Sequence, residues 1–463
     1  MHPRENKIRR FLVGCTVLLF TCISFAGASV TLFLEEPYGK LGFFTATGHA
    51  AVYLPGVCAE TPVKLRPCRS GETGVVLSRY DGVDGYDWVA IPLIPYLYAV
   101  ERPEDVPLMA DSKMVFFLRD RYRRKYLEEI APDKANGDAP GGNWYELVGS
   151  SYDRTIYGFD IETTPEQDLA LIHKLNRSAN ESHFHLASRN CADFAKDILN
   201  FYFPQTFHRS VIADVGITTP KQIAKLLTRY SVRHPELQFS RLVIAQIPGG
   251  MPRSTPVHGV VESFLKSKKY IVPSAFVSPI FAGCVAAVYV GTGGTRIHPG
   301  RDAMVYVVGG NPEPPLGKED RKAYQEQLRR FLAGAYPDNV TRKANKEWEK
   351  LQSKAIVGVD HQGQPILQME TDAKPIEVGV AADNVLKGNA SPALVQQLLT
   401  ARLQSVLYGK ASHNVSESEV ARDLKLLEQS MAHAEAPKQT IANGARPEAP
   451  ASSRSEMVRG GQR

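Results

Sequence analysis

Two short segments, far apart in the chain, carry a thiol and an imidazole in settings that suit nucleophilic catalysis. The segment Asn190-Cys191-Ala192-Asp193 opens a run of apolar residues at helical spacing, and the segment Gly48 to Leu54 has the composition of a strand that carries His49. A cysteine thiolate is a good nucleophile, and histidine is the most common general base. The pair predicts acyl-transfer chemistry, in which Cys191 attacks a carbonyl carbon and His49 accepts the thiol proton.

A helix is predicted to start at Cys191. Apolar side chains recur at helical spacing from Phe194 to Tyr202, and Pro204 ends the run. Asn190 is a favoured N-cap residue, and Asp193 stands three positions later, where its carboxylate can complete a capping box. Cys191 then occupies the first helical position, where unpaired N–H groups and the helix dipole favour an anion. The sequence therefore predicts a stabilised thiolate, whereas the alternative is a cysteine that only packs as a small apolar residue.

The histidine segment needs a sheet to hold it. Because side chains alternate along a strand, His49, Ala51 and Tyr53 share one face. Further strands are predicted at 74–80, 88–91 and 114–118. Helices are predicted after Thr164 and Thr219, each of which precedes a proline at the first helical position. The domain is thus predicted to be α+β.

The order of these motifs resembles a known family. A strand histidine followed much later by Asn-Cys at a helix start resembles the circularly permuted NlpC-type papain-like proteins, which include the lecithin retinol acyltransferase group. The matching segments are Gly48-His49-Ala50 and Asn190-Cys191-Ala192-Asp193-Phe194, and the resemblance covers roughly residues 40–230. It implies a permuted papain-like domain of antiparallel strands and packed helices, with Cys191 as nucleophile and His49 as base.

The family also implies a third polar residue that orients the imidazole. On the strand that follows the histidine strand, Ser78 is the leading candidate, and Asp87 a little downstream is the alternative. Neither is a second histidine, which is a departure from the family pattern. A catalytic set of Cys191, His49 and Ser78 is therefore expected.

A metal site is the minority interpretation of the histidines before the helix. His183 and His185 alternate along their segment and, with Cys191, offer three potential zinc ligands, but their spacing is not a recognised ligand signature. The chain also has no phosphate-binding glycine loop. We expect neither a metal nor a cofactor.

Composition and the amino end bear on location. The net charge of +6 over 463 residues is spread without a basic footprint, so no nucleic-acid partner is expected, and the oligomeric state stays open. Residues 1–28 combine a basic patch, an apolar run and the triplet Ala26-Gly27-Ala28, which is typical of a secretory signal peptide, with an uncleaved anchor as the alternative. In an oxidising compartment Cys58 and Cys68 are predicted to form a disulfide.

The rest of the chain is predicted to comprise further units. After the papain-like domain at 29–235 and a linker at 236–270, the uncharged apolar run 271–291 is long enough for a transmembrane helix, in which Cys284 would be inert packing. Lys266, Lys268 and Lys269 before it oppose the positive-inside tendency. A smaller α/β C-terminal region at 292–432 and a disordered tail at 433–463 follow.

These features together predict an exported enzyme of the cell membrane, with residues 29–270 periplasmic or extracellular. The expected activity is that of a thiol hydrolase or acyltransferase that forms an acyl-enzyme on Cys191. The family resemblance implies a cell-wall peptide or the acyl group of a lipid as substrate. The alternative is a membrane-associated binding or scaffold protein that keeps a papain-like fold without turnover.

Overall fold

The computed structural model describes most of the chain between its two ends. Described residues are 28–435 except 40–46, 82, 84, 182–183, 292–296, 335, 371–373 and 409–413. The signal peptide predicted at 1–28 and the tail predicted at 433–463 therefore lie almost wholly outside the described residues. Within those residues the fold is mixed α+β.

The strands and helices follow one another in a mixed order. The strands are β1 (Ser29–Glu35), β2 (His49–Leu54), β3 (Val57–Thr61), β4 (Lys64–Pro67), β5 (Val75–Ser78), β6 (Val89–Pro92), β7 (Ile156–Glu162), β8 (Ser240–Ile244), β9 (Met304–Val305), β10 (Ile356–Val359), β11 (Pro365–Met369) and β12 (Ile376–Gly379). The α-helices are α1 (Leu93–Tyr98), α2 (Ser112–Tyr126), α3 (Ser150–Asp153), α4 (Pro165–Arg177), α5 (Cys191–Tyr202), α6 (Pro220–Arg233), α7 (Val260–Lys266), α8 (Lys268–Val277), α9 (Pro279–Gly291), α10 (Lys318–Gly334), α11 (Asp338–Lys354), α12 (Pro392–Tyr408) and α13 (Glu417–Glu435).

A seven-stranded sheet organises the molecule, in the order β6-β5-β2-β1-β7-β8-β9. Every neighbouring pair is antiparallel except β8 and β9. The histidine strand β2 lies between β1 and β5, and Glu35 of β1 is paired with His49. The sheet continues past residue 235, because β8 and β9 come from segments that the sequence assigned to a linker and to the C-terminal region.

Each face of the sheet buries its own apolar layer. Phe33, Ala51 and Val76 face the layer that contains α1 and α2. Leu32, Val52 and Leu77 face the layer that contains α4, α5 and α6. This alternation follows from the period of two along each strand, so neighbouring residues of β2 contact different helices.

The predicted helix starts are confirmed by their caps. Thr164 and Gln167 form a reciprocal capping box at α4, and the Thr219 side chain accepts a hydrogen bond from the backbone N–H of Gln222 at α6. Each helix also has proline at its first position, where the missing N–H removes no intrahelical bond. Local sequence therefore fixes where the helices of this layer begin.

The strand predicted at 114–118 is wrong, because this segment belongs to helix α2. The Asp111 side chain accepts a hydrogen bond from Met114 N and so caps the helix. Met114, Leu118 and Tyr122 are buried at a spacing of four residues, which is a helical period. A short apolar run does not distinguish a helix from a strand. The four-residue spacing over the longer segment identifies this one as a helix.

The transmembrane helix predicted at 271–291 is also wrong. The run is divided into α8, of 10 residues, and α9, of 13, and Ser278 between them has extended backbone angles of φ −150° and ψ 91°. Pro279 explains the break, since proline disfavours helical geometry in the residue before it. None of the described helices is both long and apolar enough to cross a membrane.

The C-terminal region packs onto the same core as the sheet. Strands β10 and β11 form an antiparallel hairpin, and β11 also pairs with β12, so that the three make a separate sheet. Leu367, Val378 and Leu398 are buried in the layer that also contains Phe33. The Arg402 guanidinium donates to the Leu108 backbone oxygen at 2.7 Å and is paired with Asp423 at 3.2 Å. Buried contacts thus join this region to the sheet.

Candidate functional site

The start of α5 is built as its sequence predicts. The Asn190 side chain accepts a hydrogen bond from Asp193 N at 3.0 Å, and an Asp193 carboxylate oxygen accepts from Asn190 N at 3.3 Å. Arg79, just beyond β5, donates to the Asn190 backbone oxygen at 3.3 Å. Cys191 is thereby fixed at the first helical position, partly exposed, against the edge of the sheet.

The Cys191 sulfur lies within hydrogen-bonding reach of two backbone N–H groups, those of Ala50 and Ala192. Both contacts lower the thiol pKa, but burial outweighs them and raises it to about 11. The predicted stabilisation of the thiolate is therefore reversed, because loss of water around an anion exceeds what two N–H dipoles restore. At neutral pH Cys191 is a thiol.

His49 is held by two contacts, one from the last residue of β5 and one from the segment just after it. Its Nε2 lies 2.6 Å from the Ser78 hydroxyl oxygen, in a buried hydrogen bond, and its ring stacks on that of Tyr80 with centroids 4.6 Å apart. Burial, with the positive charge of Arg154 second, holds the pKa of His49 well below its usual value. The imidazole is therefore neutral at pH 7, and Nδ1 is the ring nitrogen that Ser78 does not occupy.

The side chain of His49 and the helix that carries Cys191 lie on opposite faces of the sheet, near the start of β2. The His49 ring belongs to the layer of Tyr80, whereas α5 packs on the opposite face, against Ala50 and Val52. The two segments meet at Ala50, whose N–H reaches the sulfur and which directly follows His49. In the part of the chain that the structure describes, no hydrogen bond joins the two side chains, as is common in apo sites.

The two candidates for the third residue are separated by the structure. Ser78 contacts the imidazole directly. Asp87 instead pairs with Arg79 at 2.6 Å and with Arg189 at 3.0 Å, so its carboxylate is committed to the two guanidinium groups beside the start of α5. Ser78, ranked first from the sequence, is thus the candidate that contacts the imidazole, and its catalytic role stays a prediction.

A buried polar cluster behind His49 was missed by the sequence argument. The Tyr96 hydroxyl donates to the Glu35 carboxylate and lies 3.4 Å from the Tyr80 hydroxyl. Arg154 is 3.3 Å from Glu35 and stacks over Tyr38 at 4.4 Å. Burial raises the pKa of Glu35 although Arg154 opposes the shift. Glu35 could have been identified from the sequence, because it is the one carboxylate at the end of the otherwise uncharged, mainly apolar strand Ser29–Glu35.

The described residues give no support to a zinc site formed by His183, His185 and Cys191. His183 lies outside the described residues, and His185 is exposed, with its Nδ1 2.8 Å from the Ser188 hydroxyl. Among described residues, one group of three potential ligand residues lies close enough together for a metal: Cys58, Cys68 and Glu72. Those two cysteines form the predicted disulfide, with Cα atoms 4.9 Å apart, and their sulfurs are thus committed.

Comparisons with known proteins leave the chain without an assigned family. A scan against protein-family models found no match. Searches of curated proteins and of solved structures also found no significant match. Function is therefore argued from the site itself.

Proposed function

We propose that this protein is an exported thiol hydrolase or acyltransferase, with Cys191 as nucleophile, His49 as base and Ser78 as the positioning residue of the imidazole. One observation carries the proposal. The Cys191 sulfur, at a capped helix start, contacts the backbone N–H of the residue that follows His49, and the His49 ring is fixed by Ser78. A thiol at a capped helix start and a neutral imidazole held by a hydroxyl, on segments that meet at Ala50, support the assignment of nucleophile, base and orienting group.

The protonation states favour general-base catalysis over a preformed ion pair. Both partners are neutral at pH 7, since burial raises the thiol pKa to about 11 and lowers that of His49. In the proposed first step the sulfur forms a bond to the substrate carbonyl carbon while Nδ1 of His49 takes the thiol proton. The resulting imidazolium then protonates the leaving group as the carbonyl re-forms, which leaves a thioester on Cys191.

The second half of the reaction determines which class of enzyme it is. Transfer of the acyl group to water makes the protein a hydrolase, and transfer to an amine or alcohol makes it an acyltransferase. We propose a cell-wall peptide or a lipid acyl group as donor. The Cys58–Cys68 disulfide supports an exported location, because such bonds persist in oxidising compartments.

An acyl-enzyme experiment tests the proposal. The full chain is incubated with p-nitrophenyl esters of short and long acyl chains, and the masses of its tryptic peptides are measured by mass spectrometry. The expected result is an acyl adduct on the Cys191 peptide and a burst of nitrophenol. Cys191→Ser should lose at least about a thousandfold in rate, and His49→Asn about 100-fold or more. The control Cys284→Ser, at an exposed thiol, should keep the burst. A burst that survives Cys191→Ser would refute the proposal.

Ser78→Ala isolates the positioning role. Without the hydroxyl, the His49 ring loses its partner at Nε2 and samples other orientations, so kcat should fall about tenfold or more with little change in KM. Ser78→Thr keeps a hydroxyl and should recover part of that loss. Equal effects of both variants on KM and kcat would indicate a general structural role.

A non-catalytic binding or scaffold protein is the second candidate. It is favoured by one observation, the raised pKa of Cys191, which leaves almost no thiolate at neutral pH. The same ester experiment separates the two candidates, since a scaffold forms no adduct on Cys191 with any acyl chain length.

A further inference from the structure

The helical hairpin formed by α8 and α9 exposes apolar side chains at its turn. Val277 is 87% exposed, Phe276 84% and Ile280 81%. No residue of either helix is buried. Soluble proteins seldom leave such a contiguous apolar surface in water, so this one marks an interaction site.

The opposite end of the hairpin is polar and anchored to the domain. The Tyr289 hydroxyl, near the end of α9, donates to Glu262 of α7 at 3.2 Å. Lys221 of α6 is paired with the same carboxylate at 2.5 Å, at a buried position. Nearer the turn, Phe264 of α7 packs edge-on against Phe281 with ring centroids 6.1 Å apart. The hairpin is therefore attached to α7 along α9, while Phe276, Val277 and Ile280 at its turn face solvent.

Charge on the hairpin has one sign. Lys268 and Lys269 are exposed at the start of α8, and the sequence from 268 to 291 contains no acidic residue; Lys266, at the end of α7, is exposed and paired with Glu262 at 2.7 Å. Tyr270 lies beside the lysines, with the Lys269 ammonium 5.6 Å from its ring centroid. The hairpin thus has an apolar turn and, at its base, lysines and a tyrosine. This is the side-chain arrangement of proteins that lie at membrane interfaces.

We propose that the α8–α9 hairpin inserts its turn into one leaflet of an anionic lipid bilayer, without crossing it, and so holds the protein on the membrane surface. A helix of 13 residues is about 20 Å long, which suits the roughly 15 Å of hydrocarbon in one leaflet. An anionic surface is favoured over a second copy of the chain as occupant, because residues 268–291 of a second hairpin contain no acidic side chain that could pair with Lys268 and Lys269. The inference goes beyond the proposed function and does not depend on the chemistry of Cys191.

A probe on the hairpin tests this directly. Cys284 lies on α9 and is exposed, so it takes an environment-sensitive NBD label in the full chain that carries Cys15→Ser, Cys22→Ser and Cys191→Ser. The label reports the hairpin itself, and it works whether or not residues 1–28 bind lipid. Vesicles of phosphatidylglycerol and phosphatidylcholine are added, and a blue shift with increased emission is expected. A label at Lys346→Cys on α11, with Cys284→Ser, is the control that should not respond.

Substitutions separate the apolar and ionic contributions. Phe276→Ser with Ile280→Ser should weaken vesicle binding by roughly 100-fold, since two large apolar side chains no longer leave water. Val232→Ser, at an equally exposed apolar position of α6, is the matched control and should change nothing. Lys268→Gln with Lys269→Gln should weaken binding about 25-fold, at roughly fivefold for each charge.

Three results would overturn the proposal. One is an unchanged Cys284 emission on anionic vesicles. Another is an equal shift on pure phosphatidylcholine, because the lysines would then play no part. The last is a shift that appears without lipid as protein concentration rises, which would identify a second copy as the occupant.

Discussion

Helix α5 and the α8–α9 hairpin are both rich in apolar residues, yet one is packed and the other is bare. α5 buries Phe194, Ile198 and Leu199 against β2 and leaves Lys196 and Asp197 outside the core. The hairpin buries nothing and has no charged residue between 271 and 291. A polar stripe is what gives a helix a definite inner face, and the hairpin lacks one. Apolar content thus indicates a capacity for burial, whereas the stripe determines where burial occurs.

The two free cysteines of the described chain offer the largest contrast. At pH 8 a thiol with pKa about 11 is roughly 0.1% ionised, so Cys191 should react with iodoacetamide about 100-fold more slowly than an exposed thiol of ordinary pKa. Cys284 is exposed and should be labelled first. Because burial raises the Cys191 pKa, its rate should rise about tenfold per pH unit up to pH 11. Isotope-coded alkylation and peptide mapping measure both rates, and equal rates at pH 8 would mean that the helix start stabilises the thiolate after all.

Core truncation gives the next largest contrast. Leu199→Ala removes a fully buried side chain of α5 and should lower the free energy of unfolding by about 2–5 kcal/mol. Val277→Ala removes a side chain already in water and should change it by no more than about 0.5 kcal/mol. Urea denaturation followed by circular dichroism measures both. A large loss for Val277→Ala would show that the hairpin packs against the protein in solution.

Helix caps give the smallest contrast. Asn190→Ala removes the buried capping box of α5 and should cost about 1–2 kcal/mol. Ser267 is the N-cap of α8 but makes no side-chain cap bond, so Ser267→Ala should cost a few tenths of a kcal/mol at most. Thermal melts in parallel report the difference. Equal losses would indicate that the cap at α5 contributes only through helix propensity.

Local signals in the sequence were sufficient for several elements. Thr164, Asn190 and Thr219 each satisfy backbone N–H groups of the turn that follows, and all three helices begin where these caps predict. The Cys58–Cys68 disulfide was predicted from the short spacing of the two cysteines and from the signal-like amino end. Such features depend on groups a few residues apart, and so a single sequence contains them.

Non-local features were not predictable in the same way. The contact of Cys191 with Ala50 joins a helix start to a strand distant in sequence, and the pKa of Cys191 depends on burial in the folded chain. The run 271–291 was interpreted from its hydropathy, while Pro279 controlled its geometry. Cys284, expected to be inert packing, is exposed for that reason. The pairing of Arg154 with Glu35 joins strand ends distant in sequence.

The sheet and the C-terminal region share one apolar core, and this limits where the chain can be truncated. The layer in which His49 stacks on Tyr80 is closed partly by residues from β12 and α12, such as Val378 and Leu398. A fragment ending at residue 235 would lose β8, β9 and that cover, and would leave large apolar side chains around α1 in water. Trimmed versions should therefore aggregate, and only expression through residue 435 should yield a soluble protein with an ordered imidazole.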